Sequence, residues 1–220
     1  MASFFNLTLD TTAPAGLTLK LNNGAAYATS TAVTATIGLT DSATTGYQMK
    51  IWGVAGAATE SEAAWATFVK SKAITLTTGD GQKTVSVKVR DDVGNETATV
   101  TAKITLDTAV PVVTITGPDK SKISKVATFN VSAFSFSANA DFEEYKIKVV
   151  PSESSLENAG TQIPVTAGST NTSGTAGGYK KDTAINVTIN GADLEAASSG
   201  DGVKIVKVFV KNAAGTWSVA

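Results

Sequence analysis

The chain has 220 residues, a formal net charge of −1 and neither cysteine nor histidine. The lack of cysteine excludes disulfides and thiolate metal sites, and the lack of histidine removes the commonest general base and the usual zinc ligand. The balanced charge without a basic stripe argues against a nucleic-acid partner, and no stretch approaches the roughly 20 apolar residues of a membrane span. We therefore expect a protein made in the cytoplasm without a signal peptide, with no cofactor and no membrane association.

The first half of the chain reads as a series of short strands. Apolar and polar residues alternate in it, as Val85, Val87 and Val89 do with Ser86 and Lys88, and Gly, Asn and Asp separate the runs. One-sided strands that recur about every ten residues predict an antiparallel β-sandwich. The predicted strands are a short N-terminal piece and residues 16–21, 31–39, 46–53, 72–77, 83–90 and 97–106.

The second half of the chain repeats the first. Leu-Asp-Thr-Thr-Ala-Pro at 9–14 recurs as Leu-Asp-Thr-Ala-Val-Pro at 106–111, and the Gly-Asp-Gly turn and strand at 79–90 recur at 200–211. Two copies of one sandwich are therefore predicted: 1–107, with a short N-terminal segment 1–8, and 108–220, with an insertion at 151–182. The predicted strands of the second copy are residues 111–117, 126–137, 143–150, 183–189, 203–211 and 215–220. Helical composition appears only at 60–69 and 193–197.

The two copies differ on the outward face of the penultimate strand. Where the first copy has polar side chains, alignment places apolar ones in the second, and we expect these to be exposed: Val150, Ile205, Phe209 and Trp217. An exposed apolar face needs a cover. Two covers remain open, the insertion folding back over the face or a partner subunit anchored on it. The pair Phe4 and Phe5 is a second candidate anchor, which could equally add a strand to its own sheet.

Acidic residues gather where the two copies join. Asp10 and Asp107 belong to the repeated motif, and Asp91 and Asp92 lie in the turn that follows the strand at 83–90. Several carboxylates and backbone carbonyls are what calcium requires, so these four residues are calcium candidates. The alternative is that Asp10 and Asp107 accept backbone hydrogen bonds before the prolines while Asp91 and Asp92 shape their loop. We favour the alternative and expect no metal.

Two motifs identify a resemblance. Leu-Asp-Thr-Thr-Ala-Pro at 9–14, together with Val-Arg-Asp-Asp-Val-Gly-Asn-Glu at 89–96, resembles bacterial immunoglobulin-like repeats. Such repeats occur in surface adhesins and in virion proteins of tailed bacteriophages. The resemblance covers nearly the whole chain and implies an all-β protein of two tandem immunoglobulin-like antiparallel β-sandwiches. The second copy departs from the motif, with Lys-Asn-Ala-Ala-Gly-Thr-Trp at 211–217.

The resemblance also implies a function. The layout is similar to small virion proteins that decorate phage capsids, which implies a virion location, synthesis in the host cytoplasm, and the major capsid protein and other copies of this chain as partners. The alternative is a tail, baseplate or cell-surface module that binds host-surface glycans. We expect no enzyme, because adjacent carboxylates such as Glu143 and Glu144 point apart on a strand and no histidine activates a serine.

Overall fold

The structure is a computed structural model that describes residues 5–125, 131–166, 168–175 and 177–219. Phe4 lies outside the described residues. The chain divides into two compact units, Met1–Thr108 and Ala109–Ala220, which we call unit 1 and unit 2. The predicted boundary lies one residue earlier.

Unit 1 is built from short strands in which every second side chain is buried, as the alternating sequence requires. A 3-10 turn at Asn22–Gly24 follows the first of them. The strands are β1 (Thr18–Leu21), β2 (Tyr27–Ala28), β3 (Ala32–Gly38), β4 (Gln48–Trp52), β5 (Ala66–Thr67), β6 (Ser71–Thr75), β7 (Gly81–Arg90) and β8 (Val100–Leu106).

These strands form two sheets that enclose the core of unit 1. One sheet has the order β1-β3-β6 and the other the order β2-β8-β7-β4-β5. The long hairpin of β7 and β8 runs in register from Gly81 opposite Leu106 to Val87 opposite Val100. Among its inward side chains, Ile104 and Leu106 are each 1% exposed. The apolar face of each sheet is therefore covered by the other sheet.

Unit 2 repeats the arrangement with fewer residues in strands. Its elements are β9 (Val113–Thr116), β10 (Val131–Ala138), β11 (Glu144–Val150), β12 (Thr161–Gln162), β13 (Ser173–Gly174), β14 (Ile185–Asn190), α1 (Gly191–Ala197) and β15 (Ile205–Lys211). One sheet has the order β14-β10-β9, and in the other β11 pairs with β12 and β13 on one side and with β15 on the other.

An aromatic cluster fills the middle of unit 2. Phe136 and Phe142 lie between the sheets, the ring of Tyr145 meets that of Phe136 edge-on at 5.1 Å, and Tyr179 stacks on Phe142 at 4.9 Å. Burial raises the pKa of Tyr145 above its ordinary value. The predicted fold class, an all-β protein with antiparallel sandwich architecture, is confirmed.

Three predicted elements differ from the structure in type or extent. Residues 60–69 are not helical, because turns and the short β5 occupy them. The predicted helical turn at 193–197 is part of α1, whose N-cap is Asn190; the side chain of that residue accepts a 2.7 Å hydrogen bond from the backbone of Asp193. The predicted strand at 215–220 is wrong within the described residues, since only an isolated bridge joins Trp217 to Lys211.

Candidate interaction surfaces

The N-terminal segment, residues 5–9, presents three large apolar side chains to solvent. Phe5, Leu7 and Leu9 are 84%, 87% and 87% exposed, and no described strand pairs with the segment. The segment is followed by Asp10, whose carbonyl oxygen accepts a 3.3 Å hydrogen bond from the side-chain amide of Asn95. Three neighbouring apolar residues exposed to this degree form a surface that a partner can cover.

The predicted exposure of the outer face of unit 2 is wrong for two of its four residues. Val150 is 5% exposed and Phe209 is 0% exposed, while Ile205 and Trp217 are half-buried. Phe209 lies outside the inter-sheet core, on the same face of β15 as Lys207. Its burial therefore requires another part of unit 2 to lie over the sheet.

That cover is the start of the insertion, residues 152–160, which we call the covering loop. The ammonium group of Lys207 donates to the carbonyl oxygens of Glu153 and Ser155, at 2.7 and 2.8 Å. From β11, Lys148 donates to the carbonyl oxygen of Glu157 at 2.7 Å, and Lys146 forms an ion pair with the Glu157 carboxylate. The lysines on the outer face thus hold the loop, and their ammonium groups satisfy carbonyls that the loop would otherwise leave unpaired.

A glycine allows the loop to reach the strand. Gly160 has a φ of +69°, and a Cβ atom built on it would lie 2.1 Å from the carbonyl oxygen of Val149. Both the left-handed backbone and the close approach exclude a side chain at this position. Gly160 returns the covering loop directly to β12, which pairs with β11 at Val149 and Lys148.

Trp217, the fourth predicted interface residue, is packed beneath cations. The ammonium group of Lys146 lies 4.6 Å and that of Lys211 5.2 Å from the centre of its ring. In unit 1, Trp65 has a similar environment, with Arg90 at 4.4 Å and Lys50 at 5.2 Å. Charged side chains therefore lie against both indole rings as cation–π partners.

An apolar cleft of about 310 Å³ opens between the two sheets of unit 2 beside β15. Ile115 on its wall is 44% exposed, although it is on the inward face of β9. The apolar side chains that line the cleft are Ile115, Ile123, Phe134, Ile189, Leu194 and Val206. The sequence pattern did not single out this cleft, because every one of these residues also fits a closed core.

The calcium candidates have local hydrogen-bonding roles. The Asp91 carboxylate accepts backbone hydrogen bonds from Val93, Gly94 and Asn95, at 3.0, 2.7 and 2.8 Å, and one from the Asn95 side chain. Burial pushes the pKa of Asp91 upward, but these hydrogen bonds outweigh it, so the pKa lies below its ordinary value. Asp91 therefore shapes its turn, the role that we favoured over metal binding.

The other three candidates do not join it in a cluster. The Asp10 carboxylate accepts a 2.9 Å hydrogen bond from the backbone of Thr12, and Asp92 is exposed. The backbone of Asp107 donates to the carbonyl oxygen of Ala28. Within the described residues, no three acidic side chains come close enough together to hold a metal ion.

Several other charged side chains form ion pairs on the outer faces of the sheets. Lys88 contacts Glu60 at 2.7 Å and Glu96 at 3.4 Å. The hydrogen bond to Glu60 is the main cause of its raised pKa, and burial opposes that shift. Glu144, an adjacent-carboxylate candidate, pairs with Lys211 and lies 3.9 Å from Lys146. No helix in the described part of the chain is both long and apolar enough to span a membrane.

Comparison with known proteins identifies no family. No protein-family model and no curated protein matches the chain. The solved structures with distant similarity include the following two. Dimeric latent PorU from Porphyromonas gingivalis is 12% identical to this chain, with a TM-score of 0.29. The match covers 97% of this chain and 20% of the PorU chain. Chitinase ChiA74 from Bacillus thuringiensis is 15% identical to this chain, with a TM-score of 0.30. The match covers 83% of this chain and 27% of the chitinase chain. The chain thus spans less than a third of either protein, and TM-scores this low do not establish a shared fold.

Proposed function

We propose that this protein is a non-enzymatic structural component of a larger assembly, specifically an immunoglobulin-like virion protein that decorates the capsid of a tailed bacteriophage. One observation carries the assembly role: Phe5, Leu7 and Leu9 are 84%, 87% and 87% exposed, in a segment that belongs to no described strand. An alternating apolar segment without a strand partner is suited to bind a sheet edge of another subunit. The virion setting rests on the resemblance to phage immunoglobulin-like repeats.

The absence of histidine and cysteine from the sequence supports a structural rather than a catalytic role. The strongest carboxylate and lysine groupings, at Asp91 and Lys88, are used in a turn and in surface ion pairs. Neither leaves a nucleophile beside a base, which catalysis of acyl or phosphoryl transfer would need.

Immunogold labelling of isolated particles tests this proposal. Particles from a culture of the organism that encodes the chain are banded in a density gradient and treated with an antibody against the protein. Labelling on the capsids of tailed particles is the expected result. Labelling on tails or on the cell envelope would overturn the decoration role and favour host-surface or glycan binding. Protein found only in the unassembled fraction would overturn both.

A further inference from the structure

The tryptophan clusters of the two units differ in charge. In unit 1 the guanidinium group of Arg90 lies 4.4 Å and the ammonium group of Lys50 lies 5.2 Å from the centre of the Trp65 ring. Among the described residues of unit 1, the ion pairs belong to a different cation, Lys88. The two cations beside Trp65 therefore remain available to an anion from outside the chain.

Unit 2 has a carboxylate at the position where unit 1 has an amide. Arg90 ends β7 opposite Gln48, and Lys211 ends β15 opposite Glu144. Glu144 pairs with Lys211 and lies 3.9 Å from Lys146, which also pairs with a glutamate of the covering loop. The cations beside the tryptophan of unit 2 are thus neutralised within the unit, and those of unit 1 are not.

Gln48 holds the guanidinium group of Arg90 in a fixed orientation. The side-chain oxygen of Gln48 accepts hydrogen bonds from Nε and Nη2 of Arg90, at 2.8 and 2.6 Å, and the indole of Trp65 lies against the same group. The other N–H groups of the guanidinium remain free to donate. Because the side chain is already ordered, it loses little conformational freedom when it binds a carboxylate through a planar pair of donors.

A polar cleft of about 360 Å³ opens beside Arg90, lined also by Gly46, Gln48 and the turn residues 91–94. Gly46 has a φ of +83°, and a Cβ atom built on it would lie 2.7 Å from the Cβ atom of Asp92, so this glycine brings the Asp92 side chain to the cleft. A carboxylate only accepts hydrogen bonds and a guanidinium only donates them. Hydroxyl groups do both, so a ligand with many hydroxyls suits this cleft better than an acidic peptide, whose carboxylates would meet Asp92.

We propose that this face of unit 1 binds an acidic saccharide. The carboxylate of the sugar accepts hydrogen bonds from Arg90 and is attracted by Lys50. An apolar C–H face of the sugar ring packs on the part of Trp65 that is exposed, since the indole is only half-buried. The hydroxyl groups enter the polar cleft.

This binding activity goes beyond the proposed function and does not depend on it. The proposed function assigns assembly to residues 5–9, whereas the saccharide site lies on the outer face of β4 and β7. Saccharide binding by a protein that is absent from phage particles would overturn the proposed function and leave this inference standing.

Isothermal titration calorimetry with matched sugars tests the proposal. Sialyllactose and trigalacturonate carry carboxylates, lactose and galactotriose are their neutral counterparts, and sodium acetate supplies a carboxylate without a sugar. We expect an acidic sugar to bind about tenfold or more tightly than its neutral counterpart and than acetate. Equal affinity for the neutral sugar would overturn the role of the cations, and equal affinity for acetate would overturn the role of the saccharide. Failure of both acidic sugars to bind would overturn the whole proposal.

The variant Gln48→Glu distinguishes a built site from a generally charged surface. It gives Arg90 the carboxylate that Lys211 has in unit 2, with almost no change in side-chain volume. The matched control Gln82→Glu makes the same charge change on the same face, at the other end of β7. We expect Gln48→Glu to weaken binding of the acidic sugar about tenfold or more and Gln82→Glu to weaken it less than about threefold. Equal losses in the two variants would contradict a site at Arg90.

Fluorescence gives an independent measurement at the indole. The chain has three tryptophans, so the background Trp52→Phe/Trp217→Phe leaves Trp65 as the single emitter. We expect the acidic sugar to change this emission over the concentration range in which calorimetry detects binding. Binding that leaves the emission unchanged would place the sugar away from Trp65 and overturn the assignment of the site.

Discussion

Truncation of Phe209 distinguishes a buried residue from a docking anchor. Its side chain is 0% exposed beneath the covering loop. Full burial of a phenylalanine stabilises by about 1.5–3 kcal/mol through transfer from water, and truncation to alanine in a packed site costs about 3–5 kcal/mol once the cavity is included. Because a single loop forms the cover and can partly collapse, we expect about 3 kcal/mol for Phe209→Ala.

Urea denaturation measures this cost. Trp217 is the one tryptophan of unit 2, so a background with Trp52→Phe and Trp65→Phe reports unit 2 by fluorescence. At a slope of about 1–3 kcal/mol per molar urea, 3 kcal/mol lowers the midpoint by about 1–3 M. The matched control is Val203→Ala in unit 2, whose side chain is 96% exposed and whose truncation should change stability by less than about 0.5 kcal/mol. A Phe209→Ala midpoint within about 0.3 M of the parent would refute the burial argument.

Three further predictions concern the turn, the covering loop and metals. Hydrogen bonds hold the pKa of Asp91 below its ordinary value of 3.8, so its contribution to the stability of unit 1 is present above that value and is lost as the pH falls through the lowered pKa. Asp91→Asn introduces the residue type that unit 2 has at the equivalent position, Asn212. This substitution should therefore reduce the difference between the urea midpoints of unit 1 at pH 7 and at pH 3. An unchanged difference would contradict the role of the Asp91 carboxylate. Lys207→Met removes both hydrogen bonds to the loop carbonyls and should accelerate cleavage at Glu153 and Glu157 by a glutamate-specific protease severalfold, whereas Lys103→Met on unit 1 should not. Millimolar calcium or EDTA should leave the thermal midpoints of both units unchanged, and a calcium-dependent rise of several degrees would restore the calcium hypothesis for Asp10, Asp91, Asp92 and Asp107.

The predictions that came from periodicity succeeded best. The alternation at Val85, Val87 and Val89 places these residues in the core at 0% exposure. The physical reason is that a strand with one apolar face can bury that face only against another sheet, so the pattern itself dictates the sandwich.

The tertiary structure decided what lies over each face. Periodicity predicted that Val150 and Phe209 point away from the inter-sheet core, and it left open whether the insertion or a partner covers them. The tertiary structure favours the insertion, because backbone carbonyls of Glu153, Ser155 and Glu157 bond to lysines distant in sequence. Pairing is a property of two segments together, so the sequence of either one alone does not determine it.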